Sequence, residues 1–102
     1  MLNKLEEVAD RFREVEGLLS DPAVINDQTR YRSLTKEHAD LVDVVGAYER
    51  YRRVAEEIAG SQELLKEPDP EVREMAGAEV AELEAEQVAL KEQLRLMLLP
   101  RD

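Results

Sequence analysis

The sequence predicts an all-α protein, an elongated antiparallel three-helix bundle with coiled-coil-like packing, and three observations carry that expectation. Ala, Glu, Lys, Leu and Arg supply 56 of the 102 residues, the composition of long helices and coiled coils. Strand formers are scarce: one Phe, three Tyr, two Ile and no Trp. Apolar residues recur every three or four positions through three stretches, as on one face of an α-helix, and proline-bearing breaks separate the stretches.

The first helix is expected over about 2–19, with Leu2, Leu5, Val8, Phe12, Val15 and Leu19 on one face. Glu7 and Arg11 stand four apart on the wet side, in the acid-first order that favours a helix. Ser20-Asp21-Pro22 ends it, because the residue before a proline is driven out of the helical region. Val24 and Ile25 are expected to anchor the connector in the core. The second helix is expected over about 27–66, capped by Asp27, which makes roughly 40 residues and about 60 Å at 1.5 Å per residue. Its stripe reads Tyr31, Leu34, His38, Leu41, Val45 and Tyr48, then Tyr51, Ala55, Ile58, Gln62 and Leu65. The seam changes beside Gly46, where a 3.6-residue period has drifted off a strict heptad, and Gly60-Ser61 is a point where the helix can bend or end early. The third helix, about 70–98, opens on Asp69 as cap with Pro70 at its first position and Glu71 and Glu74 near the positive dipole end. Ala76, Val80, Leu83, Gln87, Leu90, Leu94 and Met97 form its stripe, Lys91 and Arg95 sit toward the negative end, and Pro100 stops it. Short connectors turn consecutive helices back on one another, so Leu34, Leu41, Leu83 and Leu90 are expected between the second and third helices. The short first helix covers only part of that hairpin. The rest is expected to stand as a two-helix arm or to pack on something else, with residues 1–102 forming a single domain.

Net charge is −10 and unevenly placed: residues 1–53 carry 9 bases against 11 acids, and 54–102 carry 5 against 13. Nucleic-acid affinity comes largely from Lys and Arg meeting phosphates, so no direct nucleic-acid binding is expected and a protein partner is, with a basic protein suited to the charge. No apolar run nears the roughly 20 residues of a membrane span. The opening Met1-Leu2-Asn3-Lys4-Leu5-Glu6-Glu7 does not read as a secretory signal, so no membrane and a cytoplasmic location are expected. With no cysteine, disulfides, thiolate zinc sites and cysteine nucleophiles are excluded.

No catalytic, cofactor-binding or metal-binding residue is expected. His38, the only histidine, falls between Leu34 and Leu41 and reads as a bundle residue with its polar edge near solvent; one histidine without a second cannot form the paired helical zinc motif. Glu79, Glu82, Glu84 and Glu86 read as a solvated helix face, since acid/base work needs a cleft. Gly17, Gly46, Gly60 and Gly77 are too dispersed for a phosphate loop. The basic groups Arg30 with Arg32, Arg50 with Arg52 and Arg53, and Lys91 with Arg95 read as ion-pairing partners, as in Glu49–Arg53. Tyr31, Tyr48 and Tyr51 read as core rather than base-stacking platforms.

The order of segments says more. Leu18-Leu19-Ser20-Asp21-Pro22-Ala23-Val24, then Arg30-Tyr31-Arg32-Ser33-Leu34-Thr35-Lys36-Glu37-His38-Ala39-Asp40-Leu41, and Asp69-Pro70-Glu71-Val72-Arg73-Glu74-Met75-Ala76 resemble the opening of bacterial class I peptide chain release factors. Leu98-Leu99-Pro100-Arg101-Asp102 looks like the junction at which the factors that read UAA and UAG pass into their catalytic core. The resemblance implies the N-terminal helical domain of such a factor, a fragment that projects toward the ribosome's GTPase-associated region and packs through Leu96 and Leu99 on the rest of its own chain beyond Asp102. The family reads stop codons with a Pro-x-Thr loop and hydrolyses peptidyl-tRNA with a Gly-Gly-Gln loop. Neither tripeptide occurs here, so Gln62, Gln87 and Gln93 do not inherit the role of the family's methylated glutamine, and the fragment is expected not to be an enzyme. The expected contact surface is the turn from Ser61 to Pro70. Two other readings are the helical arm of an aminoacyl-tRNA synthetase, which net −10 disfavours, and a structural coiled-coil module, which the Asp21-Pro22 break disfavours.

Overall fold

The computed structural model describes residues 1–100, and the junction residues Arg101 and Asp102 lie outside them. The protein is all-α, with no strand among the described residues. Its helices are α1 (Leu2–Leu19), α2 (Pro22–Ile25), α3 (Gln28–Leu64) and α4 (Pro70–Met97). Among the described residues four helices stand where three were expected, because the connector itself makes one helical turn. Asp21 causes it: its carboxylate accepts a hydrogen bond from Ala23 N at 2.9 Å with Pro22 at the first helical position. The same device opens α4, where Asp69 accepts from Glu71 N at 2.9 Å ahead of Pro70. At the start of α3, Asp27 accepts from Arg30 N at 3.2 Å. Each bond satisfies one of the orphan donors of a helix start. α3 runs through Gly46, Gly60 and Ser61 without interruption, 37 residues or about 55 Å at 1.5 Å per residue.

The chain divides into two compact units, one from Met1 to Gly46 and a second from Ala47 onward, with α3 passing from one into the other. In unit 1, α1 lies antiparallel to the first half of α3, as the pairing of Arg11 with Glu37 and of Val15 with Leu34 requires. Val15, Val24 and Leu34 form its buried cluster, with Leu18 and Leu19 packed on them. Leu34 is therefore buried by α1 and α2, not against the third long helix as expected. Leu5 and Ala9 are buried too, whereas Leu2 is exposed. The connector anchors through Val24 alone, at 0% exposure; Ile25 is 49% exposed, because one turn of helix aims adjacent side chains in different directions.

In unit 2 the rest of α3 runs antiparallel to α4. Val54, Ile58 and Leu83 are buried together with Leu90 packed on them. Every residue of the expected α4 stripe is buried or half-buried. On α3, Val54 is fully buried and Ala55 only half, while Gln62 and, just past the helix, Leu65 are exposed. Tyr48 and Ile58 keep their expected buried places while Val54 takes that of Ala55, because a 3.6-residue period lets adjacent positions share a seam.

Candidate functional site

The described residues contain no group of three His, Asp or Glu that could hold a metal ion and no buried side-chain polar atom without a partner. Functional candidates are therefore surfaces. His38 is half-buried, stacked on Phe12 with ring centroids 4.6 Å apart, its Nε2 3.4 Å from Glu16 Oε2. Its ring packs while its polar edge faces a carboxylate.

Nearby, Arg11 turns away from the expected Glu7. Its Nε and Nη2 donate to the two carboxylate oxygens of Glu37 at 2.6 and 2.7 Å, and its Nη1 donates to Glu14 at 2.8 Å. A fork-to-fork pair of this kind is strong among charge-assisted bonds. The hydrogen bond from Arg11 lowers the Glu37 carboxyl below its ordinary value, and the same bond raises Arg11. Unit 2 has its own cross-helix pair, Arg50 with Glu86, in which Nη2 donates to both carboxylate oxygens at 2.6 and 2.8 Å; that bond raises the Arg50 pKa. Glu86 thus leaves the solvated face to which it was assigned, whereas Glu79, Glu82 and Glu84 are exposed. Arg95 pairs with Glu92 at 2.7 Å, and Arg52 lies 5.8 Å from the Tyr48 ring centroid. Arg53 pairs with no acid among the described residues, so the expected Glu49–Arg53 pair does not form.

The turn from Ser61 to Pro70 leaves Leu64 and Leu65 44% and 41% exposed. Leu65, Lys66 and Glu67 N–H groups donate to the carbonyls three residues back, each at 3.2 Å. Arg73 Nη1 donates to the carbonyls of Glu67 and Pro68 at 2.8 and 2.6 Å. Two apolar side chains are thus held out on a braced turn. Leu96 and Leu99 are 53% and 50% exposed.

Sequence reasoning missed a second surface. Tyr31, expected in the core, is 41% exposed. With Ile25, Thr35 and Ala39 it lines an open groove of about 580 Å³, bordered by Arg32 and Lys36. The available signal was the 31, 35, 39, 42 spacing of Tyr, Thr, Ala and Val, a stripe running beside the buried one.

No helix of the described residues is long and apolar enough to cross a membrane. Residues 8–102 match the family described as PCRF domain. Over all 102 residues the chain is 50% identical to a protein of Pelobacter propionicus named Peptide chain release factor 1. It is 47% identical to proteins of that name from Geotalea uraniireducens and Geobacter sulfurreducens, again over its full length. The chain spans 28% of the length of each of these relatives. With a match that covers nearly every residue from the middle of α1 to the end of α4, the chain belongs to the PCRF domain family.

Proposed function

We propose that the chain is the N-terminal helical domain of a cytoplasmic translation termination factor that directs release of the nascent peptide at UAA and UAG codons. In that factor it serves as a protein-interaction arm toward the ribosomal GTPase-associated region. The observation that carries the reading is the full-length similarity, 47–50% identity, to bacterial proteins named Peptide chain release factor 1. Codon reading and hydrolysis fall to the remainder of the factor, because Pro-x-Thr and Gly-Gly-Gln are absent from this sequence; the domain itself is not an enzyme. The braced turn with Leu64 and Leu65 outward is the contact surface, since exposed apolar groups on a rigid turn bind at little ordering cost. A release assay on stalled ribosomes tests this with the domain, the full factor and the factor lacking residues 1–99. The full and shortened factors should hydrolyse peptidyl-tRNA at UAA and UAG, the shortened one with slower binding, and the domain alone should release nothing. Codon-dependent release by the domain alone would overturn the proposal.

A further inference from the structure

We propose that the groove where α2 meets the start of α3 is a docking site for an acidic amphipathic helix of a partner protein. It is a different surface from the Ser61–Pro70 turn and does not rest on the termination reading. Its floor is apolar and unpartnered: Ile25 is 49% exposed and Tyr31 41%, with Ala39 beside them, and Val42, 44% exposed, continues the same stripe along α3. Single exposed apolar side chains are ordinary. A row of them at helical spacing, lining a concavity, is the form of a groove that receives a helix.

Charge identifies the occupant. Arg32 and Lys36 border the groove. Arg32 has no ion pair among the described residues, and Lys36 has one contact, to Asp40 at 3.9 Å with side chains 81% and 53% exposed. Arg30 stands just before them, and the first turn of α3 holds no acid. Cations there oppose the helix dipole. A chain with 24 acids against 14 bases has left Arg32 unpaired among the described residues and Lys36 with only that long contact, so the border's complement is a carboxylate-bearing face from outside. RNA would meet the same cations, yet it would leave the apolar floor of Ile25, Tyr31 and Ala39 uncovered.

The test is a nuclear magnetic resonance titration of the labelled protein with three probes. The first is a synthetic helix of about 18 residues, matching the roughly 27 Å from Gln28 to Gly46, with Leu at three–four spacing and Glu on its flanks. The second replaces Glu by Lys, and the third is a single-stranded oligouridylate. The Glu peptide should shift the amides from Ile25 to Val42 and weaken roughly tenfold in Arg32→Glu/Lys36→Glu, while Arg53→Glu, a cation of unit 2, leaves binding unchanged. Thr35→Arg, which fills the floor from an exposed helical position, should weaken it as well. Circular dichroism confirms that each variant keeps its helices. Equal binding by the Lys peptide, shifts elsewhere or none, or tighter binding of the oligouridylate to the same amides would overturn the proposal.

Discussion

Unit 1 and unit 2 bury comparable side chains with different means. Unit 1 surrounds Val15, Val24 and Leu34 with two helices and a one-turn wedge. Unit 2 buries Val54, Ile58 and Leu83 between two helices only, and two cylinders meet along a single seam. Their helix starts differ in the same sense. α4 opens on Asp69, Pro70 and Glu71, everything a helix N-terminus favours, and carries Arg95 in its last turn. α3 opens with Arg30 and Arg32 and no acid in its first turn. The unit with the narrower seam has the better helix ends; the unit enclosed from more sides carries the charges its helix disfavours. Of those charges, Arg32 borders the exposed groove.

Core truncation is the strongest challenge to that contrast. Leu83→Ala and Leu34→Ala should each lower unfolding free energy by about 2–5 kcal/mol, read from urea midpoints. A cost-free Leu34→Ala would mean that the wedge of α2 does not close unit 1. The helix starts give the next effect, and its sign is opposite in the two units. Asp69→Ala should cost about 1 kcal/mol. Arg30→Glu should stabilise by about 0.3–1 kcal/mol, because Glu three residues after the Asp27 cap faces the positive dipole end and completes a capping box. Loss of stability in Arg30→Glu would remove the argument that the cations there oppose the helix.

The smallest effect concerns the Arg11–Glu37 fork. Arg11 and Glu37 side chains are 41% and 35% exposed, so solvent screens the pair and it adds little to stability at neutral pH. Its pH dependence is the sharper readout. Arg11 holds the folded-state Glu37 pKa below the ordinary value, so its contribution is complete above the unfolded-state pKa and disappears as pH falls through the folded one. Between about pH 5 and pH 3 the parent should lose more stability than Glu37→Gln. Equal slopes would show that the fork does not survive in solution.

The long helices were legible because capping and periodicity are local. Asp69-Pro70 announces α4 within two residues, and its stripe needs only its own spacing. The same Asp-Pro pair at 21–22 was read as a stop alone, although the chemistry that starts α4 also starts α2. Tyr31 shows the limit of periodicity: two stripes adjoin at the start of α3, and which one is buried depends on where α1 and α2 lie. Arg11 shows another. Glu7 is nearer in sequence, but the antiparallel approach of α3 brings Glu37, whose carboxylate matches the guanidinium on both oxygens. The apolar floor of the groove was concealed for the same reason, since exposure is settled by packing across elements.

The braced turn between α3 and α4 also bears on how fast unit 2 assembles. Closing a loop costs entropy that grows only as the logarithm of its length. With Arg73 tethering Glu67 and Pro68, the two helix ends are already together, and each further pair closes a loop barely larger than the last. The hairpin can therefore zip outward from the turn, through Ile58 and Leu83, to Arg50 and Glu86, which stand 36 residues apart in sequence. Helical proteins dominated by such local contacts fold in microseconds to milliseconds, and the turn that holds Leu64 and Leu65 outward sets the register of every pair that follows.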